Sequence, residues 1–105
     1  MIHHVVYFQL KPEVDAAAKE ELVRSCRSLL LRIPEVLSVR SGRNLDASSQ
    51  WHVFLAIEVE SREKLRATLD DPHHIKFVEK HVKPLTASHF SMDFETDPSK
   101  DLKYS

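Results

Sequence analysis

The segment Ile2-His3-His4-Val5-Val6-Tyr7-Phe8-Gln9-Leu10 reads as a β-strand with two apolar sides. Period-two alternation puts Ile2, His4, Val6, Phe8 and Leu10 on one face, and His3, Val5, Tyr7 and Gln9 on the other. Trp51 to Glu60 repeats the pattern: Trp51, Val53, Leu55, Ile57 and Val59 alternate with a row that includes Phe54 and Ala56. Between these strands Asp15 is placed to cap a helix whose Ala18, Leu22, Cys26, Leu29, Leu30 and Ile33 recur at helical spacing, and Pro34 ends it. Val36 to Leu45 gives a weaker strand with Leu37 and Val39 on one face. After the second strong strand, Ser61 caps a short helix carrying Leu65 and Leu69. Asp71-Pro72 starts another, which runs to about Lys83 and is closed by Pro84. Ala87 to Glu95 forms the last strand, with Phe90, Met92 and Phe94 on one face.

The order β-α-β-β-α-α-β, with a central hairpin, predicts an α+β ferredoxin-like fold: a four-stranded antiparallel sheet with helices on one face. Residues 1–95 make one domain and residues 96–105 a polar C-terminal tail. Water against the helix-free face would select polar side chains, yet Val5, Tyr7, Phe54 and Ala56 occupy it. A chain of 105 residues has no spare element to cover that face. A second copy does, so the expected partner is the chain itself, in an isologous homodimer.

Composition removes several classes of function. Fifteen Lys and Arg against sixteen Asp and Glu give a formal charge of −1, without the basic surplus of a nucleic-acid binder. The apolar runs are far shorter than the ~18–20 residues that span a bilayer. No secretory signal is readable at the amino terminus. Cys26, the single cysteine, sits on the first helix stripe as a small core residue and closes no intrachain disulfide, which fits a cytoplasmic protein. Gly42 is the one glycine, so a phosphate-cradling loop and a dinucleotide fingerprint are both excluded, and no cofactor is expected.

The seven histidines are the conspicuous supply of groups that titrate near neutrality. At ~100° per residue, His74, Phe77, Val78, His81 and Val82 share one arc of the third helix, with Lys76, Glu79, Lys80 and Lys83 opposite and His73 at the boundary. His4 has the same character, an imidazole in the apolar row of the first strand, and the two faces bring His4 and His74 to a shared interior space. A lone imidazole on an apolar face is ordinarily a core histidine satisfied by a carbonyl or carboxylate, but burying two together is costly without a use. No metal site is expected: His3 and His4 point to opposite faces, and neither HExxH nor paired cysteines occur. Trp51 is a further candidate, as a ring that stacks on a ligand.

Five stretches in order resemble the stress-responsive A/B-barrel (Dabb) family: Met1 to Lys11, Ile33 to Val39, Gly42-Arg43-Asn44, Asp71 to Val78, and Asp93-Phe94. The resemblance spans residues 2–95 and implies a dimeric α+β barrel, in which two ferredoxin-like chains pack sheet against sheet. A plant polyketide cyclase of this type closes a linear polyketide without a cofactor. Its two important histidines match His4 and His74, whereas its catalytic tyrosine matches Thr68, whose hydroxyl is a far weaker acid than a phenol. The resemblance thus adds Thr68 to a pocket lining of Phe77, Val78, His81 and Trp51. The reading that follows is a homodimer of unassigned reaction that takes a small apolar ligand. The alternative is a cyclase-like or isomerase-like enzyme with His74 as general base and His4 beside the substrate carbonyl.

Overall fold

The structure, a computed structural model, describes residues 1–97. Its elements are β1 (Ile2–Leu10), α1 (Ala16–Leu30), β2 (Val36–Arg43), β3 (Val53–Val59), α2 (Arg62–Asp70), α3 (Pro72–Phe77) and β4 (Thr86–Glu95). A π-helical turn, Val78–Val82, and a last helical turn, Lys83–Leu85, carry α3 on to β4. The four strands form one antiparallel sheet in the order β2-β3-β1-β4, which is the ferredoxin-like arrangement.

Side-chain parity fixes the layers. Ile2, Val6, Phe8 and Leu10 of β1 and Val53, Leu55, Ile57 and Val59 of β3 are buried beneath the helices, and the intervening residues are only half-covered. Leu22, Val23, Cys26 and Leu30 of α1, with Ile33 and Phe77, complete the core. The caps are those the sequence indicates: Asp15 Oδ1 accepts from Ala18 N at 2.8 Å, Ser61 Oγ from Lys64 N at 3.2 Å, and Asp71 Oδ1 from His73 N at 2.8 Å. Burial pushes the Cys26 thiol up to about 12, so it is a packing group and not a nucleophile. No helix among the described residues is long and apolar enough to cross a membrane.

Two local expectations are corrected. In β2 the register slips between Val36 and Ser38, so Leu37 is the extra residue of a bulge. It is exposed, while Val36 and Val39 pack on the core. Pro84 does not close the third helix but lies inside its final turn. Proline has no N–H, and its ring crowds the carbonyl four residues back. The chain widens here into a π turn, with Lys83 N–H donating to Val78 O. Beyond β4, Thr96 N donates to Met1 O at 2.9 Å and Thr96 O accepts from the Met1 amino group at 3.0 Å. The rest of the expected tail, from residue 98, lies outside the described residues.

The helix-free face carries Val5, Tyr7, Phe54 and Ala56, and the β1–β4 register adds Met92 and Phe90 opposite Val5 and Tyr7, and Phe94 opposite His3. Phe90, Met92 and Phe94 are 38, 43 and 50% exposed, an apolar row facing outward from an edge strand. Gly42 belongs to this face. It pairs with Phe54, and a Cβ on it would stand 3.1 Å from the Phe54 ring, so the space a side chain would need is already filled by an aromatic edge.

Candidate functional site

β1 and α3 each deliver one histidine to the same space. His4 stands in the inward row of β1 and is 7% exposed. Directly opposite in the register lies Asp93 of β4, and the two side chains meet at 2.6 Å, His4 Nδ1 to Asp93 Oδ1. An ionised carboxylate only accepts, so Nδ1 carries the proton and Nε2 is left to meet a ligand. On α3 the Asp71 cap decides which of two neighbouring histidines turns inward. Its carboxylate binds both the backbone N–H and, at 3.0 Å, the Nδ1 of His73, holding that ring at the surface. His74, one step further round the helix, enters the interior. Burial lowers its pKa from the ordinary 6.5, and charge on His4 lowers it further. Asp71 and the Leu69 carbonyl act in the opposite direction. At neutral pH His74 is an uncharged imidazole, and the influence of His4 reflects how near the two rings lie.

Both line a cavity of about 250 Å³ between the sheet and α3. Its walls are apolar, from Val6, Phe8, Leu55, Leu69, Phe77 and Val78, with His89 and Ser91 along the β4 side. That volume falls below the ~300 Å³ at which pockets for drug-sized molecules begin, so it suits a smaller guest. Phe77 and Val78 stand where the sequence places them, and His3 and His73 point away. His3 lies on the other face, with Nε2 2.7 Å from Thr96 Oγ1 and Nδ1 3.8 Å from Glu58.

Three expected lining residues are elsewhere. Thr68 is fully buried but spends its hydroxyl on the Lys64 carbonyl at 2.8 Å in its own helix, and the neighbouring Leu69 faces the cavity instead. His81 stacks on Phe77, with ring centroids 6.1 Å apart, outside the lining. The π turn holds more residues than an α turn, so positions after Val78 rotate away from the arc that ideal helical phase assigns them, and Val82 takes the cavity side. Trp51 precedes β3 and is held by the turn before it: its N–H donates to Ser49 Oγ and its carbonyl accepts from Asn44 Nδ2. Its ring packs edge-on against Phe90, with centroids 4.7 Å apart. It lines a different cavity, of about 360 Å³, with Tyr7 and Phe54 on the helix-free face.

Asp93, His89 and Ser91 were not among the expected site residues. They form the polar row of β4 that alternates with Phe90, Met92 and Phe94. The signal was present as that alternation, but only the long-range pairing with β1 places the row beside His4. Among the described residues no three His, Cys, Asp or Glu side chains converge as metal ligands would.

The model of the stress responsive A/B barrel domain matches residues 2–96. The chain belongs to this family. Its fold is shared with solved structures of low sequence identity. A dimeric ferredoxin-like protein of unknown function from Thermobifida fusca is 21% identical, with a TM-score of 0.80 over 90% of each chain. A Dabb family protein from Mesorhizobium loti is 20% identical, with a TM-score of 0.79 over 91% of this chain and 96% of that one. Hydroxynitrile lyase from Passiflora edulis is 13% identical, with a TM-score of 0.78 over 91% and 93%. No curated protein matches the sequence at a significant level. Membership of the A/B barrel family brings the fold and assigns no reaction.

Proposed function

We propose that the chain acts as a homodimer, sheet against sheet, whose helix-side cavity binds a small apolar molecule carrying a carbonyl. The single observation behind this reading is an apolar cavity of about 250 Å³ into which two imidazoles turn, His4 oriented by Asp93 and His74 held neutral. With Asp93 holding its Nδ1–H, a protonated His4 presents Nε2–H to a carbonyl oxygen, and the neutral His74 puts no second charge beside it. The apolar outward row of β1, β3 and β4 supports the dimer, as do the structural neighbours described as dimeric. The lone buried thiol suits a reducing compartment, and we place the protein in the cytoplasm.

Cofactor-independent proton transfer beside the bound carbonyl is a second reading, and the 2.6 Å His4–Asp93 contact favours it. Such a contact fixes the tautomer and aim of an imidazole and stabilises the charge it gains. His74 is then the base, and His4 polarises the carbonyl as an imidazolium, with Nδ1–H on Asp93 and Nε2–H on the carbonyl oxygen. Among the described residues no phenol lines the cavity, and the Thr68 hydroxyl is occupied within its own helix, so binding is the firmer of the two.

Titration with 2-octanone, followed by NMR, tests the binding reading. Saturable binding is expected, and Val78→Trp, which fills the cavity from its helix side, should remove it while far-UV circular dichroism stays native. Failure of the wild type to bind, or undiminished binding by the filled variant, contradicts it.

A further inference from the structure

The inward row of β4 lies at the sheet edge, where no helix packs extensively across it, so His89, Ser91 and Asp93 are exposed although they face the helical side. The register ties each to a residue of β1: Asp93 to His4, Ser91 to Val6, His89 to Phe8. His4 and Phe8 are four residues apart, which is about 13 Å of strand. On the opposite wall, His74 and Val82 are separated by eight residues, about 12 Å of helical rise. The cavity is therefore a trough with a polar group at each end. His4 and His74 occupy one end. His89, its ring 6.1 Å from that of Phe8, occupies the other, and the stretch between is apolar apart from Ser91. A trough about 13 Å long with a volume of about 250 Å³ has the cross-section of a single alkyl chain or a narrow ring.

We propose that His89 is a specificity-determining residue, and that the ligand is two-ended: a carbonyl at the His4–His74 end and a carboxylate at the far end, joined by roughly six to eight apolar carbons. The inference rests on the ligand-binding reading of the same cavity. The His89 side chain lies on an open edge where a carboxylate keeps part of its hydration, and its ring N–H donates to that carboxylate. The buried end, in contrast, suits an uncharged oxygen, because His74 is desolvated there.

Two probes separate this inference from the reading beneath it: 8-oxononanoate, which has both ends joined by six methylenes, and 2-octanone, which lacks the carboxylate. NMR titration of the full chain should show 8-oxononanoate binding about tenfold more tightly, the order expected of one hydrogen bond to a charged group. His89→Leu should bring the two probes to equal affinity. Equal binding of both probes by the wild type, or a preference that survives His89→Leu, overturns the role of His89 while the cavity reading stands. Binding of neither probe overturns both.

Discussion

The Phe54→Glu variant is expected to sediment as a 12.2 kDa monomer under conditions where the wild type sediments at twice that mass. Phe54 lies on the helix-free face, opposite Tyr7 in the register and against Gly42, within the patch that also holds Trp51 and Phe90. A two-fold interface brings each residue in twice, so one substitution puts two carboxylates into one apolar contact. Desolvating an unpaired carboxylate costs several kcal/mol, enough to move a micromolar dimer beyond working concentration. The fold itself should persist, because the buried core lies on the opposite side of the sheet, and far-UV circular dichroism checks this. A variant that remains a dimer would place the interface elsewhere. A wild type that is monomeric at micromolar concentration would leave the row of Phe90, Met92 and Phe94 without its proposed partner.

The second large effect concerns His74→Ala. If proton transfer accompanies binding, its rate should fall by about 100-fold or more, the usual contribution of a positioned acid–base group. His73→Ala, whose ring is tied to Asp71 at the surface, should change it little. The same substitution has a signature in stability against pH. The His74 pKa in the folded chain lies below the ordinary 6.5, so between those two values the unfolded chain holds more protons. Its contribution to stability is therefore complete above about pH 6.5, declines as pH falls through the window below that value, and levels off under the folded pKa. Urea denaturation of His74→Ala at several pH values should lack this acid-side decline. An unchanged acid limb in the variant would mean that His74 is not the group held neutral in the cavity.

Much of this architecture was legible because it rests on short-range rules. Alternation in residues 2–10 and 53–59, the caps at Asp15, Ser61 and Asp71, and the order of elements all follow from local chemistry. The inward turn of His4 and His74 was legible for the same reason, since strand parity and helical phase each act over a few residues. What escaped was non-local or departed from ideal periodicity. Asp93 meets His4 only because β4 pairs with β1 in one particular register, 89 residues away along the chain. His81 left the expected arc because a π turn replaces an α turn ahead of Pro84. Leu37 left its expected face because one bulge reverses parity. Trp51 shares strand parity with Val53, but the side-chain hydrogen bonds of the preceding turn hold its backbone and set its direction. Thr68 shows a further limit: a matched position supplies a residue, and whether its hydroxyl faces the cavity depends on what its own helix offers it.

The claim at the centre of this account is that His4 and His74 meet a carbonyl ligand in one cavity while the neighbouring histidines do not. Two-dimensional NMR of the imidazole nitrogens during titration with 2-octanone reads all seven histidines at once. The account predicts that the His4 Nε2 and His74 resonances move together along one saturation curve, while those of His3 and His73 stay in place. Movement of His3 or His73 with the ligand, or saturation that leaves His4 and His74 unmoved, would contradict it.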